Sequence, residues 1–294
     1  MEPSPIKDYL SSLPRNERLY YFANPGNAGD ALIALATYQL FNQLGMDYCI
    51  VNESHPFDPT DRIMVYSGGG NLVEYYNTAR KAILEYYPRL RKLIILPHTI
   101  QANEDLLAGF RENVDVLCRE PVSYAHVQRY APRANVYLMD DMAFLLDAAV
   151  LRADDSFAHD PVPFSWKLRD DLCAALLPLR LAVGRRFRSG ERASLNAFRK
   201  DIESSGRFSR RESVDLAILF AHGTDSEPVV HYVARRLFKV LDHYQTIRTD
   251  RLHICIVAAM LGKQVEFFAN SYSKCEAVYH HSIKDRFPNV HWMG

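Results

Sequence analysis

Short apolar runs alternate with helix-period stretches along nearly the whole chain, and this alternation limits the fold more than any other feature. Residues 18–23, 48–51, 62–66, 92–96, 115–118 and 135–138 read as strands. A helix falls between the first two, with Leu32, Ile33, Leu35, Ala36, Leu40, Phe41 and Leu44 on its apolar stripe and Gly45 at its end. The run 92–96 is continuously apolar, the pattern of a strand covered on both faces in a parallel sheet. The sequence therefore predicts an α/β chain built on a doubly wound parallel sheet. Between about 149 and 194 the rhythm breaks, with Pro161, Pro163, Pro178, Gly184 and Gly190. It resumes with expected strands at 214–220, 244–247 and 264–268. The expected division is an N-terminal domain over 1–150, a linker over 151–194 and a smaller C-terminal α/β domain over 195–294.

Composition removes several classes. Lys+Arg and Asp+Glu are equal at 35 each, so net charge gives no reason to expect nucleic acid. No apolar run is long enough to span a bilayer, and the N-terminus carries no basic and apolar leader, so a cytoplasmic location is expected. The five cysteines (Cys49, Cys118, Cys173, Cys255, Cys275) show no metal-ligand spacing and read as buried thiols. One local charge excess stands out. Between Arg180 and Arg211 ten Lys/Arg face three acids, an excess of seven. It reads as a solvated linker, or as a surface that meets anionic lipid at the inner face of a membrane.

The most unusual stretch is Thr249-Asp250-Arg251-Leu252-His253, followed by the apolar run 254–261 and Gly262. This predicts a helix buried nearly all round, with Thr249 or Asp250 at its cap. Arg251 and His253 then occupy the first turn, where the helix dipole already favours negative charge. An anionic ligand bound there explains them. The structural alternative pairs Arg251 with Asp250 or Glu276 and makes His253 a hydrogen-bonded core residue.

Other polar signals also fall at strand ends, where open α/β sheets bind ligands. The turn 26–30 is neither a dinucleotide fingerprint nor a Walker loop, so neither NAD nor ATP is indicated. It suits close approach of a ligand, or else a tight turn with Asp30 as helix cap. Gly68, Gly69 and Gly70 follow an apolar strand, at an entropic cost that a close main-chain approach would justify. Arg119 directly follows a strand as either an anion clamp or a salt-bridged core residue. Asn270 and Lys274 fill the equivalent place in the C-terminal half.

Taken in order, the segments at 26–30, 67–72, 96–100, 119–124, 140–143, 198–203, 249–253 and 270–274 resemble the polysaccharide pyruvyl transferase family. Two departures are His98, where glutamine is expected, and the end of the chain at Gly294 soon after the last helix. The resemblance implies two Rossmann-like domains in a GT-B-like arrangement with the site in the interdomain cleft. It implies phosphoenolpyruvate as donor, a saccharide acceptor (lipid-linked or free), a pyruvate ketal as product, and neither metal nor cofactor. Carried over, the donor anion is held by Arg119, Arg251, the main chain of Leu252, and His253. Asn27, Gly69, Gly70, Asn71, His98 and Lys274 are further substrate-binding candidates.

That donor agrees with the residue reading. Phosphoenolpyruvate carries a phosphate and a carboxylate, and Arg119 and Arg251 offer two separate clamps. The chemistry needs an acid near the alkene and a base near the hydroxyls. His253 is the candidate acid, and Asp30 or Asp140 the candidate base. Two alternatives stay open: a GT-B glycosyltransferase using a nucleotide sugar, and a non-catalytic anion-binding member of the family.

Overall fold

The computed structural model describes residues 5–148, 161–184 (main chain only over 178–184), 194–206 and 213–294. Most of the basic stretch 180–211 lies outside the described residues. The described chain forms two compact units.

The first unit takes residues 1–25, 33–146 and 224–226. Its sheet contains β1 (Leu19–Phe22), β2 (Tyr48–Val51), β3 (Ile63–Tyr66), β4 (Gly69–Leu72), β5 (Lys92–Ile100), β6 (Val114–Cys118) and β7 (Asn135–Leu138). The order is β2-β1-β3-β5-β6-β7, with β4 also on β5, and every pair is parallel. The helices are α1 (Pro5–Ser11), α2 (Ala28–Gln43), α3 (Thr78–Tyr86), α4 (Glu104–Ala108) and α5 (Pro121–Tyr130). The expected strands thus form close to their expected bounds. Runs such as Met64-Val65-Tyr66 and Leu93 to Leu96 are buried throughout, as strands covered on both faces must be. The first turn of α2 groups with the second unit.

The long β5 takes two partners in turn. Its first half pairs with β3, and its second half pairs with β4 in the register Gly69↔His98 and Leu72↔Ile100. Of the three glycines expected to allow a close main-chain approach after β3, Gly69 and Gly70 belong to a second short strand. Ser67 and Gly68 form the break between them. A Cβ on Gly68 would sit 2.8 Å from the Pro97 carbonyl oxygen, and Gly69 has φ +145°, a conformation closed to other residues.

The second unit takes residues 26–32, 147–223 and 227–294. Its sheet is also parallel, in the order β11 (Val290–Trp292), β10 (Gln264–Phe267), β9 (Thr246–Thr249), β8 (Ser194–Ala197). Its helices are α6 (Phe164–Gly184), α7 (Leu216–Leu219), α8 (Glu227–Asp242), α9 (Leu252–Met260) and α10 (Lys274–Val278).

Three expectations change here. The apolar run 214–220 is not a strand: α7 forms within it, and the Asp215 carboxylate accepts the Ile218 N–H at 3.4 Å as its cap. The strand beside β9 is instead β8, a short Ser-Leu-Asn-Ala run that carries little apolar signal. Residues 164–184, within the stretch expected as linker, form the long helix α6. All five cysteines are free thiols, and Cys118, Cys255 and Cys275 are buried.

Candidate active site

The second unit gathers its charged side chains at the carboxyl ends of β8, β9 and β10. Thr249, the last residue of β9, donates its hydroxyl to the Ala197 carbonyl at 2.7 Å and accepts the Arg251 N–H at 3.0 Å. Neither Thr249 nor Asp250 caps α9. Arg251 stands at the cap position, and its own side chain makes no cap hydrogen bond to the first turn. The cap fails because both expected residues are engaged elsewhere. Thr249 bonds backward to β8, and Asp250 accepts the Arg199 N–H at 2.8 Å. Seven of the nine residues of α9 are buried, as the apolar run predicts.

Arg251 is buried and carboxylate-bound. It donates Nε and Nη2 to Asp215 at 3.0 and 2.5 Å, and Nη2 to Asp201 at 2.8 Å. Its partners are thus neither Asp250 nor Glu276. Asp201 also accepts Arg199 Nε at 2.8 Å, and Arg199 reaches Glu203 at 2.9 Å. Glu203 in turn binds Lys274 Nζ and accepts Asn270 Nδ2 at 3.4 Å. Lys274 is therefore a paired, buried cation.

The electrostatics follow from this packing. Burial pushes the Asp201 carboxyl up, but the Arg199 hydrogen bond and the charges of Arg251 and Arg199 overcome it and bring the pKa to about 2. Asp250 goes the other way. Burial dominates the Arg199 main-chain hydrogen bond and the nearby cations, and the pKa rises to about 6. Burial likewise lifts the Cys275 thiol to about 11 against the charges of Lys274 and Arg199, so it is not a thiolate nucleophile.

The turn at 26–30 also belongs to this unit, and it meets His253. A Cβ built on Gly29 would lie 2.5 Å from His253 Nδ1. Asn27 Oδ1 accepts the Gly29 N–H at 2.8 Å, and Asp30 Oδ2 accepts the Asn27 N–H at 2.9 Å. This reciprocal pair is a capping box at the start of α2. Asp30 is therefore the helix cap of the structural reading, half-buried beside the imidazole-bearing helix start.

The first unit places its candidates around the ends of β3, β5 and β6. Arg119 is only 1 % exposed, and donates Nε to Thr99 at 2.8 Å and Nη1 to Asp141 at 2.7 Å. It is salt-bridged, with guanidinium N–H groups to spare beyond these two bonds. Asp141 also caps the turn Met142–Leu145 by accepting the Ala143 N–H at 2.8 Å. Asp140, the candidate base, is half-buried beside it. His98 is fully buried between the Ser67 carbonyl (3.2 Å from Nδ1) and the Asn71 N–H (3.1 Å from Nε2). Nε2 also lies 3.0 Å from Asn71 Oδ1. Burial, with the Arg119 charge, drives its pKa down to about 3, so it is neutral in any ordinary buffer. Asn71 reaches Asn24 and the Tyr66 hydroxyl (3.3 Å) through Nδ2, and Gly70 lies half-buried on β4.

The structure thus brings His253, Arg251, Leu252, Asn27 and Asp30 into one unit with Lys274, and Arg119, His98, Gly69, Gly70, Asn71 and Asp140 into the other. Residues that sequence reasoning did not single out hold the cations in place: Asp201, Asp215 and Glu203 in one unit, Thr99 and Asp141 in the other. The signal for Glu203 was present as an i,i+4 spacing from Arg199. Nothing local marks Asp215. Among the described residues, no group of three His, Cys, Asp or Glu side chains could hold a metal ion.

Comparison with known proteins places the site in context. The family model for polysaccharide pyruvyl transferase matches residues 27–272. A Bacillus subtilis (strain 168) protein named "Putative pyruvyl transferase EpsO" is 25% identical over 312 residues, covering 97% of this chain and 91% of the relative. A crystal structure of a functionally uncharacterised protein, KP1_0663 from Klebsiella pneumoniae subsp. pneumoniae NTUH-K2044, is similar with a TM-score of 0.76 and 29% identity. It is matched over 98% of this chain and 97% of its own.

Proposed function

This chain belongs to the polysaccharide pyruvyl transferase family, and from that premise we propose that it moves pyruvate from phosphoenolpyruvate onto two hydroxyls of a saccharide, closing a ketal. The acceptor is a sugar of an exopolysaccharide or other glycan, lipid-linked or free. The paired Rossmann-like domains of a GT-B-like enzyme are the finer reading of the two parallel-sheet units.

The observation that carries the reading is the start of α9. A buried helix opens with an arginine at the cap position, whose side chain makes no cap bond, and a histidine in the first turn. A helix start that carries an arginine and a histidine suits a dianionic phosphate or a carboxylate. Arg251 is pre-set by Asp215 and Asp201, so little side-chain entropy is lost when an anion meets its spare N–H. Arg119, held by Thr99 and Asp141, is the second clamp by the same logic. Lys274, His98, Asn71, Asn27, Gly69 and Gly70 shape the surroundings.

In the proposed reaction, the imidazolium of His253 delivers a proton to the methylene carbon. The adjacent carbon becomes an oxocarbenium-like electrophile. One sugar hydroxyl attacks it, inorganic phosphate leaves, and the second hydroxyl closes the ketal. The base takes the hydroxyl protons in turn; one restores the His253 imidazolium and the other leaves on the phosphate, so the sum is phosphoenolpyruvate plus diol to ketal plus hydrogen phosphate. Asp30 is the favoured base because its turn touches His253, with Asp140 as the alternative. No metal or cofactor enters these steps.

The test measures phosphate released from phosphoenolpyruvate with and without saccharide acceptor, alongside thermal-shift titrations with phosphoenolpyruvate and with nucleotide sugars. Acceptor-dependent phosphate release, abolished in His253→Ala while phosphoenolpyruvate still stabilises the fold, supports the proposal. Stabilisation by a nucleotide sugar alone would replace it with glycosyl transfer. Binding without turnover would favour a non-catalytic member of the family.

A further inference from the structure

The amino ends of the strands in the first sheet border a cavity of about 590 Å³. Ile63 opens β3 and Lys92 opens β5, while Asp115 and Tyr137 sit near the starts of β6 and β7. Tyr9 of α1 and the chain after it, at Ser12 and Glu17, line the other side. The candidate active-site residues of this unit lie at the opposite, carboxyl ends. From Lys92 to His98 the chain advances six residues along β5, about 20 Å of strand. The two ends of one sheet therefore carry separate sets of polar groups.

The floor of the cavity is a carboxylate. Asp115 is buried, and its Oδ2 accepts the Tyr9 hydroxyl at 2.5 Å and pairs with Lys92 Nζ at 2.7 Å. Its Oδ1 accepts Asn135 Nδ2 at 2.9 Å. These bonds hold Tyr9 and Lys92 in place without exhausting them. Lys92 keeps two N–H donors and the Tyr9 oxygen can still accept. Asn113 spends one Nδ2–H on the Leu90 carbonyl at 3.2 Å and keeps the other. Ser12 donates its hydroxyl to the Tyr9 carbonyl at 2.6 Å and keeps its acceptor. Burial and Asp115 push the Tyr9 phenol up, so it stays a neutral hydroxyl.

Charge and shape decide what such a cavity takes. Its two cations, Arg91 and Lys92, are matched by two carboxylates, Glu17 and Asp115, each bound to its partner. Outside the cavity Arg91 also lies 4.0 Å from Asp61, which leaves less positive charge for an anion. An anionic ligand would have to draw a cation from its carboxylate, and a cationic ligand the reverse. A neutral ligand rich in both donors and acceptors meets no such cost. Tyr137 adds a flat apolar wall, 38% exposed and tilted against Tyr9 with ring centroids 5.5 Å apart. Sugars combine these demands. One face of a pyranose ring is C–H and packs on an aromatic ring, while neighbouring hydroxyls match the edges of carboxylate, guanidinium and amide groups. The volume falls in the range of about 300–1,000 Å³ usual for small-molecule sites, space for a short oligosaccharide.

We propose that this cavity at the amino ends of β3, β5, β6 and β7 holds a neutral stretch of glycan, with Tyr137 as the stacking surface and Arg91, Lys92 and Tyr9 as its hydrogen-bonding partners. No bond is made or broken there, and holding a glycan does not depend on the pyruvyl chemistry proposed for the carboxyl ends. The test applies the full chain to an array of neutral oligosaccharides, beside the variants Tyr137→Ala/Arg91→Ala and His253→Ala. Tyr137 and Arg91 lie at the surface, so the double variant keeps its fold, which its melting temperature checks. Hydrogen exchange on the parent with its best-bound glycan locates the contact and needs no variant. The parent and His253→Ala should bind the same glycans, and the cavity variant should lose about tenfold or more on them. Protection should appear over residues 9–17 and 113–115. A parent that binds no neutral glycan would overturn the proposal. So would equal binding by parent and cavity variant, protection confined to the 249–253 turn, or inorganic phosphate as the ligand that the cavity variant loses. Phosphate release from phosphoenolpyruvate is not read here, so failure of either proposal leaves the other standing.

Discussion

His253 occupies the space that any side chain on Gly29 would need. The imidazole Nδ1 lies 2.5 Å from where a Cβ on Gly29 would stand, too close for both to keep their places. A residue of the turn before α2 thereby sets the position of the proposed acid on α9.

Gly29→Ala forces the imidazole aside. The alanine suits a helical first turn, so the melting temperature should stay within a few degrees of the parent. Turnover of phosphoenolpyruvate should fall by about a hundredfold, the scale of a misplacement near 1 Å. Steady-state kinetics beside a thermal melt separate the two effects, and unchanged kcat would remove His253 position from the mechanism.

Arg251→Met removes a buried cation and leaves Asp215 without its arginine, while Asp201 keeps Arg199. Breaking a buried pair from one side costs about 3–5 kcal/mol. Urea denaturation should register that loss. The double variant Arg251→Met/Asp215→Asn should recover part of it, because one orphaned charge goes with its partner.

Asp250 makes stability depend on pH in an uncommon direction. Its folded pKa of about 6 lies above the unfolded value, so the folded state holds the proton more tightly. Its contribution is most favourable below about pH 4 and is lost as pH rises through about 6. Asp250→Asn keeps the acceptor for the Arg199 N–H and removes the titration. The variant should gain about 3 kcal/mol over the parent on going from below about pH 4 to above about pH 6, read as the difference between two pH–stability curves.

His98 titrates with the opposite sign. Its folded pKa of about 3 lies below the unfolded value, so its contribution is complete above about pH 6.5 and is lost as pH falls toward 3. Glutamine has both a donor and an acceptor for the Ser67 carbonyl and the Asn71 N–H, and it cannot ionise. His98→Gln should therefore extend folding to lower pH by about 2–4 kcal/mol near pH 3, with little change at pH 7. Acid titration followed by circular dichroism checks it.

The legible part of this molecule was what short-range pattern encodes. Runs such as Leu93 to Leu96 are apolar on every residue because both sheet faces are covered, and β2 and β7 lie where the pattern put them. The run 214–220 misled because a four-residue helix and a strand look alike when both are apolar; only Asp215 as a cap separates them. α6 stayed hidden because its apolar stripe points away from the protein. At the site, the cations could be read and their partners could not. Arg251 meets Asp201 and Asp215, far from it in sequence, where adjacency suggested Asp250. In the Asp140-Asp141 doublet, the first was singled out, but the second bonds Arg119. Which of two adjacent carboxylates faces inward is decided by the path of the chain after β7.

The wholly parallel sheets also set an order of events during synthesis. Every strand of the first sheet lies before Leu138, so that sheet can assemble while the ribosome is still making the rest. The turn at 26–30 cannot finish with it, because its contact with His253 arrives only when the chain is nearly complete. Gly29 and His253 stand 224 residues apart in the chain, so this contact forms only after most of the chain has been made.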